Sequence, residues 1–416
     1  MSSSAVKSIP NILNRDCIRD DIVFDNYSKE TISFTINRVK NLLRDAGAEK
    51  GDLITISILH VNHWHIASIF ACAEMGLKIM ILDSPATLES LPYTKLALHG
   101  PSQFYIHDSE IDTTDIYGGL HDEMIRRYGG EPVDIRHAWK TYQNDFRVDV
   151  SPDDPFLLSS TSGTTKASRP ILFSHKEVYE ISKRNIDVFG FEPDSFVCHS
   201  RNLHHASALL TSLFPALMGS KRHFNIPIGH DLSGEDHLLL QGYHMIRKIN
   251  TTHIMIPNKA TLIDFLETIK EPFKRTLNIN MCGFALDEKF VELARQYNVK
   301  FLSHYGSIDT AIPFLVNFVD EDSVVEENCL GVMPDQFYGM VMKGNRVEIH
   351  SDLWDEPRYI EDELELRDGQ FFLVNPRKIE LPDIDLTPFM SDTKISMEQL
   401  RGHLHETGYY PKRHSD

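Results

Sequence analysis

The sequence predicts an α/β protein in which helices cover a parallel sheet. Two observations support this fold class. Residues 28–85 alternate helix-like and strand-like segments, and residues 153–181 contain two apolar strands around a polar loop, followed by the start of a helix. Strands that alternate with helical segments are typical of βαβ units, in which crossover helices join parallel strands.

The first predicted βαβ unit lies near the N-terminus. Val39, Leu42 and Leu43 have helical spacing, and the turn at Gly51 precedes the β-rich run LITISIL. A second helix is expected to end near Gly76, immediately before the strand KIMIL. The order strand, helix, strand therefore predicts two parallel neighbours in one sheet.

The apolar stretch from Trp64 to Leu82 is not expected to span a membrane. Glu74, Gly76 and Lys78 interrupt it, whereas a spanning helix needs about 20 predominantly apolar residues.

A hydroxyl-rich loop follows the predicted strand DDPFLLSS. Hydroxyl donors and a glycine that lets backbone N–H groups approach closely are suited to phosphate. The candidate phosphate-binding residues are Thr161, Ser162, Gly163, Thr164 and Thr165. Arg169 adds a cation beyond them, but the loop lacks the Gly-Lys-Ser/Thr ending of a Walker phosphate loop. A flexible surface loop rich in Ser and Thr is the alternative interpretation of this composition.

Composition excludes some classes of function. The chain has 416 residues, a hydrophobic content of 41%, a charged content of 25% and a net charge of −18. This composition is typical of a globular protein with an ample core, and the negative charge argues against a nucleic-acid partner. Five scattered cysteines show no disulfide framework, and the N-terminus lacks a signal sequence, so we expect a cytoplasmic location.

The run TSGTTKASRPILFSH, residues 161–175, resembles the phosphate-loop motif of the acyl-adenylate-forming (AMP-binding) superfamily. This family includes acyl- and aryl-CoA synthetases, peptide-synthetase adenylation domains and luciferases. Lys166 stands where the family usually has glycine, Ser168 where it has proline, and Arg169 where it has lysine. The arginine keeps the charge and adds a planar fork of donors suited to phosphate.

The resemblance covers almost the whole chain and implies its domain organisation. Residues 1–376 are expected to form an AMP-binding body of stacked parallel and mixed sheets with helices. Residues 377–416 are expected to form a remnant of the C-terminal domain, shorter than in most members.

Two segments resemble the family's acyl-binding motifs. In RNLHHASALL, one of His204 and His205 is implied to contact the acyl substrate, although a metal site or a structural histidine pair remain alternatives. In INMCGFAL, Gly283 matches the segment that lines the acyl pocket and meets the adenine. Phe284 departs from that segment and is expected to reshape the pocket.

LSHYGSIDT resembles the family's Y-G-x-T-E motif. Tyr305 and Gly306 are kept, and the resemblance implies that Tyr305 lies near the adenine or the pocket wall. Asp309 replaces the glutamate that binds magnesium, and a carboxylate suits this hard, oxygen-preferring ion. Ile308 replaces a threonine that contacts the AMP phosphate and cannot supply its hydroxyl.

RYIEDELELRDGQFFLVNPRK resembles the family's ribose-binding segment and hinge. The carboxylate that binds the ribose in the family falls at Glu361 or Asp362. The alternative interpretation is that this position is one more acidic residue in a solvated acidic stretch. Arg377 matches the hinge arginine if one residue is inserted before it. Independently of the family, DELEL and QFFLV predict a hairpin, because an Asp-Gly pair separates them.

LTPFMSDTKISMEQLRGHL resembles the family's terminal motif. The resemblance implies that Lys394 bridges the substrate carboxylate and the α-phosphate during adenylation. The alternative is a solvated lysine before an ordinary capped helix.

These resemblances imply ATP-dependent activation of a small aryl or acyl carboxylic acid as its acyl-AMP, with Mg²⁺ as cofactor. The acyl group would pass to an amine, to an acyl carrier protein or downstream acyltransferase, or to CoA. The short C-terminal segment favours the first two acceptors over CoA. A CoA ligase and a degenerate homologue that only binds its ligands are the remaining hypotheses.

Overall fold

The computed structural model describes residues 11–57, 62–81, 102–107, 130–142, 144–160, 170–199, 203, 206–225, 246, 250–256, 259–268, 271–282, 285–306, 313–334, 339–343, 346–360 and 362–374. Within these residues the strands, numbered in chain order, are β1 (Val23–Phe24), β2 (Tyr27–Ser28), β3 (Leu53–Ser57), β4 (Lys78–Ile81), β5 (Phe104–His107), β6 (Glu131–Asp134), β7 (Pro155–Ser160), β8 (Pro170–Ser174), β9 (Phe196–His199), β10 (Arg222–Asn225), β11 (His253–Met255), β12 (Leu277–Cys282), β13 (Val299–Tyr305), β14 (Leu315–Val319), β15 (Cys329–Gly331), β16 (Gly339–Lys343), β17 (Arg346–His350), β18 (Arg358–Ile360), β19 (Glu363–Arg367) and β20 (Gln370–Val374).

Helices alternate with these strands. The α-helices are Lys29–Asp45, His63–Met75, His175–Val188, Ala206–Ala208, Phe214–Gly219, Lys259–Thr268 and Glu288–Tyr297. A wider π-helical segment, Leu209–Leu213, joins two of them, and short 3₁₀ helices occur at Arg15–Cys17 and Ile135–Lys140.

The first large sheet has the described strand order β6-β5-β3-β4-β7-β8. Strands β3 to β7 pair in parallel with their neighbours, and β8 is antiparallel to β7. The pairing of β3 with β4 confirms the predicted βαβ unit. Its crossover helix His63–Met75 ends at Gly76, whose φ of 67° is the left-handed conformation that glycine supplies at helix ends.

The second large sheet has the described order β14-β13-β12-β11-β9-β10-β1-β2. Strands β9 to β13 run parallel, and antiparallel strands close both edges. This arrangement of parallel and mixed sheets with covering helices confirms the predicted fold class.

Two small antiparallel sheets complete the described part, in the orders β15-β20-β19 and β16-β17-β18. The predicted hairpin is confirmed as β19 and β20. Asp368 and Gly369 turn between the strands with φ values of 48° and 81°, as a two-residue hairpin turn requires.

The helix Lys29–Asp45 shows how sequence pattern becomes core packing. Ser28 caps it by accepting a hydrogen bond from the Thr31 N–H. Its residues Ile32, Ile36 and Val39 are fully buried in the core cluster that also contains the isoleucines of β3 and β4. This stripe at helical spacing fixes the helix on the first sheet.

No helix in the described ranges is both long and apolar enough to cross a membrane.

Candidate functional site

Five parallel strands of the second sheet end at one edge. Because β9 to β13 run in the same direction, their carboxyl ends share that edge, where α/β proteins usually place their ligand sites. The chain continues from β9 towards His204-His205, from β12 into Gly283-Phe284, and from β13 into Gly306 and Asp309. Of these, the structure describes only Gly306, which directly follows β13 and is half-buried.

Tyr305 and Asp362 lie together at this edge. The Tyr305 hydroxyl donates a short hydrogen bond to Oδ2 of Asp362, although 57 residues separate them in sequence. Both residues are half-buried. The Tyr305 ring is held edge-on by Phe314, with ring centroids 5.2 Å apart. The structure thus brings together two of the predicted nucleotide-binding segments.

The environment keeps Tyr305 protonated. Burial raises the pKa of its phenol, and the hydrogen bond and negative charge of Asp362 raise that pKa further. Tyr305 therefore acts as a hydrogen-bond donor that holds the Asp362 carboxylate in one orientation.

The two strands that flank the predicted phosphate loop form an antiparallel pair. Ser160, the last residue of β7, faces Pro170, the first residue of β8. The residues between them, Thr161, Ser162, Gly163, Thr164, Thr165 and Arg169 among them, lie outside the described residues. The predicted strand-loop-strand-helix order is confirmed on both sides of the loop.

The helix that follows β8 begins with a complete capping box. The Ser174 hydroxyl accepts a hydrogen bond from the Glu177 N–H, and Oε2 of Glu177 accepts one from the Ser174 N–H at 2.8 Å. Ser and Glu at this spacing are a known signature of a helix start, so the sequence carried this signal.

His175, the first residue of that helix, is fully buried and stacks on Phe156 of β7 at 4.6 Å. Burial lowers the pKa of His175 to about 4. The histidine is therefore a neutral packing residue of the core rather than an exposed acid or base.

The structure shows an ion pair between β18 and the helix that follows β8, which the sequence does not predict. Nη2 of Arg358, in β18, lies 2.8 Å from Oε1 of Glu177. The Arg358 guanidinium also covers the Trp354 ring at 4.2 Å from its centroid. No local pattern in the sequence indicates this contact, because 181 positions separate the two charged residues.

The remaining predicted site residues lie outside the described residues: His204, His205, Gly283, Phe284, Asp309, Glu361, Arg377 and Lys394. Among the described residues, no group of three His, Cys, Asp or Glu side chains is placed to hold a metal ion.

A profile of the family described as AMP-binding enzyme matches residues 31–352. The chain belongs to this family. It is an adenylate-forming ligase, and such enzymes activate acyl or aryl carboxylic acids by adenylation. The match includes the predicted phosphate loop, the end of β13 and the carboxyl ends of the parallel strands. No curated protein matches the chain significantly.

The chain is also similar in fold to several solved structures. O-succinylbenzoate coenzyme A synthetase (MenE) from Bacillus subtilis, in complex with ATP and magnesium ion, matches with a TM-score of 0.67 and 15% identity over 85% of this chain and 75% of that chain. The N-terminal domain of FACL13 from Mycobacterium tuberculosis matches with a TM-score of 0.64 and 14% identity over 83% and 92% of the two chains. McyG A-PCP, complexed with phenylalanyl-adenylate, matches with a TM-score of 0.65 and 17% identity over 85% and 73%. At these identities the likeness establishes the fold.

Proposed function

We propose that this enzyme activates a small aryl or acyl carboxylic acid with MgATP. A carboxylate oxygen attacks the α-phosphorus, the bond to the β-phosphate oxygen breaks, and acyl-AMP and pyrophosphate form. The acyl group then passes to an amine, to an acyl carrier protein or downstream acyltransferase, or to CoA, and AMP leaves.

The contact between Tyr305 and Asp362 is the observation that carries this proposal. It joins the end of β13, where the Y-G motif lies, to the segment that resembles the ribose-binding motif. A carboxylate can accept hydrogen bonds from both ribose hydroxyls, and Asp362 has a second oxygen besides the Oδ2 that accepts from Tyr305. We therefore assign the ribose to Asp362 rather than to Glu361.

The second assignment concerns the loop of residues 161–165 and the phosphates of ATP. We assign the β- and γ-phosphates to the hydroxyl and backbone donors of residues 161–165, with Arg169 supporting them. In phosphoryl transfer, charge develops on phosphate oxygens, so positioned cations and donors supply most of the stabilisation. Lys394 is assigned to the reacting carboxylate and α-phosphate for the same reason.

Magnesium is the expected cofactor, and MenE, a protein of the same fold, has been solved with ATP and magnesium ion. When bound, the ion offsets negative charge on the phosphates. Asp309 is the residue that we assign to it, since it follows Tyr305 and Gly306 at the position of the family's acidic residue.

We assign the binding of the carboxylic acid to the segments that follow β9 and β12. His204 or His205 and Phe284 would contact the acyl group, and Gly283 would leave room for the adenine. We assign the hinge role to Arg377, within a division of the chain into residues 1–376 and 377–416.

Carboxylate-dependent exchange between ATP and pyrophosphate tests the proposal. Across a panel of aryl, fatty and amino acids, we expect exchange with at least one aryl or fatty acid. Lys394→Ala should lower that rate roughly 10²–10³-fold, the usual cost of losing one electrostatic donor, while the control Lys412→Ala should not. Release of AMP that depends on CoA would identify CoA as the acceptor. Absence of exchange from a protein that binds ATP would contradict the proposal.

A further inference from the structure

Asn280, near the carboxyl end of β12, has a buried side-chain amide without a hydrogen-bond partner in the described part of the chain. The residue is 1% exposed, and both Oδ1 and Nδ2 are unpartnered there. Its backbone is paired, since its carbonyl oxygen accepts a hydrogen bond from the Ile256 N–H at 3.0 Å. Burial of an amide without hydrogen bonds is unfavourable, and such groups are rare in folded proteins. The amide is therefore placed to receive a hydrogen-bonding group that the described residues do not supply.

Asn278, two residues earlier on the same face of β12, is satisfied within the protein. Its Nδ2 donates a hydrogen bond to the Thr252 carbonyl oxygen at 3.1 Å and lies 3.3 Å from Nε2 of His253. Burial lowers the pKa of His253 to about 4, so this histidine is neutral near pH 7. The two asparagines of one strand thus differ, because only Asn278 has a structural use for its amide.

The alternation of side chains along β12 places the Asn280 amide on one face of the second sheet. Ile279 and Met281 pack on the other face, in the core cluster that contains residues of two covering helices. Asn280 therefore shares its face with its cross-strand neighbour Leu302, which belongs to a different core cluster together with Phe189. The surroundings of the amide on this face are apolar.

Asn280 also lies near the edge at which the parallel strands end. It is paired with Met255, the last residue of β11, and precedes Cys282, the last residue of β12, by two positions. Its neighbour on β13, Leu302, precedes Tyr305 by three residues, which is about 10 Å along a strand. Tyr305 points to the opposite face, so a carboxylate that reacts at the edge between the two faces has Asn280 within reach of its distal end.

The chemistry of the amide selects the group that it can bind. Oδ1 accepts and Nδ2 donates, so a hydroxyl group, which both donates and accepts, can satisfy the two atoms together. A methyl group of similar size would leave both atoms unsatisfied. A charged group would be unfavourable beside the buried, apolar side chains of Met255 and Leu302.

We infer that Asn280 is a specificity-determining residue of the acid-binding site, and that the acid carries a hydroxyl group at the end remote from its carboxylate. The inference rests on the proposed function, because that function supplies the acid and places the nucleotide at Tyr305 and Asp362. It narrows the aryl or acyl acids of that proposal to hydroxylated ones.

The first test measures exchange between ATP and pyrophosphate with matched pairs of acids. The pairs are para-hydroxybenzoate with para-methylbenzoate, meta-hydroxybenzoate with meta-methylbenzoate, and an ω-hydroxy fatty acid with the fatty acid one carbon longer. In at least one pair, kcat/KM for the hydroxy acid should exceed that for its partner by about 10²-fold or more, because the methyl group leaves the amide unsatisfied. Equal values, or a preference for the methyl acid, in every pair that supports exchange would overturn the inference.

Asn280→Val and the control Asn278→Ala separate selectivity from folding. Valine suits a strand and has no polar atoms, so Asn280→Val should unfold at the same urea concentration as the wild type or at a higher one. Its kcat/KM for the hydroxy acid should fall about tenfold or more, so that the preference is lost. Asn278→Ala removes hydrogen bonds within the protein, so it should lower the unfolding midpoint and keep the preference.

Two results with these variants would contradict the role of Asn280. The first is an unchanged preference in folded Asn280→Val, and the second is the same loss of preference in folded Asn278→Ala. A lower unfolding midpoint of Asn280→Val with its preference intact would show that the amide is structural.

Calorimetric titration with the paired acids in the presence of ATP separates this inference from the proposed function. If no acid supports exchange, but the wild type binds a hydroxy acid more tightly than its methyl partner and Asn280→Val does not, the proposed function fails and the role of Asn280 stands. If exchange proceeds without preference for hydroxy acids, the inference fails alone. If no acid is exchanged or bound, both fail.

Discussion

Lys40 is a charged residue whose burial the sequence pattern does not predict. It lies in the helix Lys29–Asp45 with its side chain only 1% exposed. Its ammonium donates hydrogen bonds to Glu74, at 3.0 Å, to Asp145, at 2.8 Å, and to the carbonyl oxygen of Phe146. A lysine in an amphipathic helix is normally expected on the solvated face, so only the folded structure reveals this network.

Removing one member of the network should be costly. Arg15 remains paired with Glu74 in Lys40→Met, but Asp145 and the Phe146 carbonyl lose a donor. We expect Lys40→Met to lower the free energy of unfolding by about 3 kcal/mol, as when a buried pair is broken. Lys29→Met is the matched control on the same helix: Asp20, its partner, is 97% exposed, so its loss should cost less than about 1 kcal/mol. Urea denaturation measures both, and equal costs would contradict the account.

At the scale of elements, sequence patterns predicted the parts better than their arrangement. The βαβ unit of β3 and β4, the strands around the phosphate loop and the β19–β20 hairpin follow from periodicity and turn residues that are close in sequence. Other features depend on residue pairs that are far apart in sequence. These are the placement of β9 between β10 and β11 and the contacts Tyr305–Asp362 and Glu177–Arg358. Local patterns carry no information on such pairs.

The end of β15 shows how closely two strands can approach at a glycine. Gly331 has a φ of 88°, and a Cβ there would lie 1.9 Å from the carbonyl oxygen of Val316. Val316 and Val332 exchange two backbone hydrogen bonds of 2.9 Å at this point. The backbone of β14 therefore excludes any side chain at position 331.

Gly331→Ala should lower the free energy of unfolding by about 3 kcal/mol or more, because left-handed strain and a backbone clash add together. Gly369→Ala isolates the strain alone: Gly369 has a φ of 81°, but nothing lies within 4 Å of its added Cβ. We expect that control to cost about 1–2 kcal/mol. Thermal or urea unfolding of the two variants checks the difference, and similar losses would show that the clash is relieved without cost.

At the scale of the whole molecule, buried histidines should make stability depend on pH. Burial lowers the pKa of His65 to about 3 and the pKa values of His175 and His253 to about 4. In the unfolded chain these groups titrate near pH 6.5, so the unfolded state binds more protons between those values. The resulting stability is complete above about pH 6.5 and is lost as the pH falls towards 4.

Each of these histidines should remove about 1.4 kcal/mol of stability per pH unit within that window. The ion-paired carboxylates of Glu74 and Asp145 have lowered pKa values, so the stability that they contribute is lost mainly at more acidic pH. Urea unfolding at pH 7 and pH 5 should show this decline in the free energy of unfolding. In His65→Leu the decline should be smaller by the part that His65 contributes. A free energy of unfolding that is constant from pH 7 to pH 5 would contradict the burial of neutral histidines.

Adenylation is the central claim for the molecule, and transfer of oxygen from the acid to AMP tests it most directly. The enzyme would be given ATP, Mg²⁺ and an acid that supports pyrophosphate exchange, with ¹⁸O in both carboxylate oxygens, plus hydroxylamine as acyl acceptor. Attack of the carboxylate on the α-phosphorus predicts AMP that carries one ¹⁸O atom, because the bridging oxygen leaves with AMP when the acyl group is transferred. Mass spectrometry of the products gives the answer. Unlabelled AMP, or ¹⁸O found in inorganic phosphate together with ADP, would contradict the account.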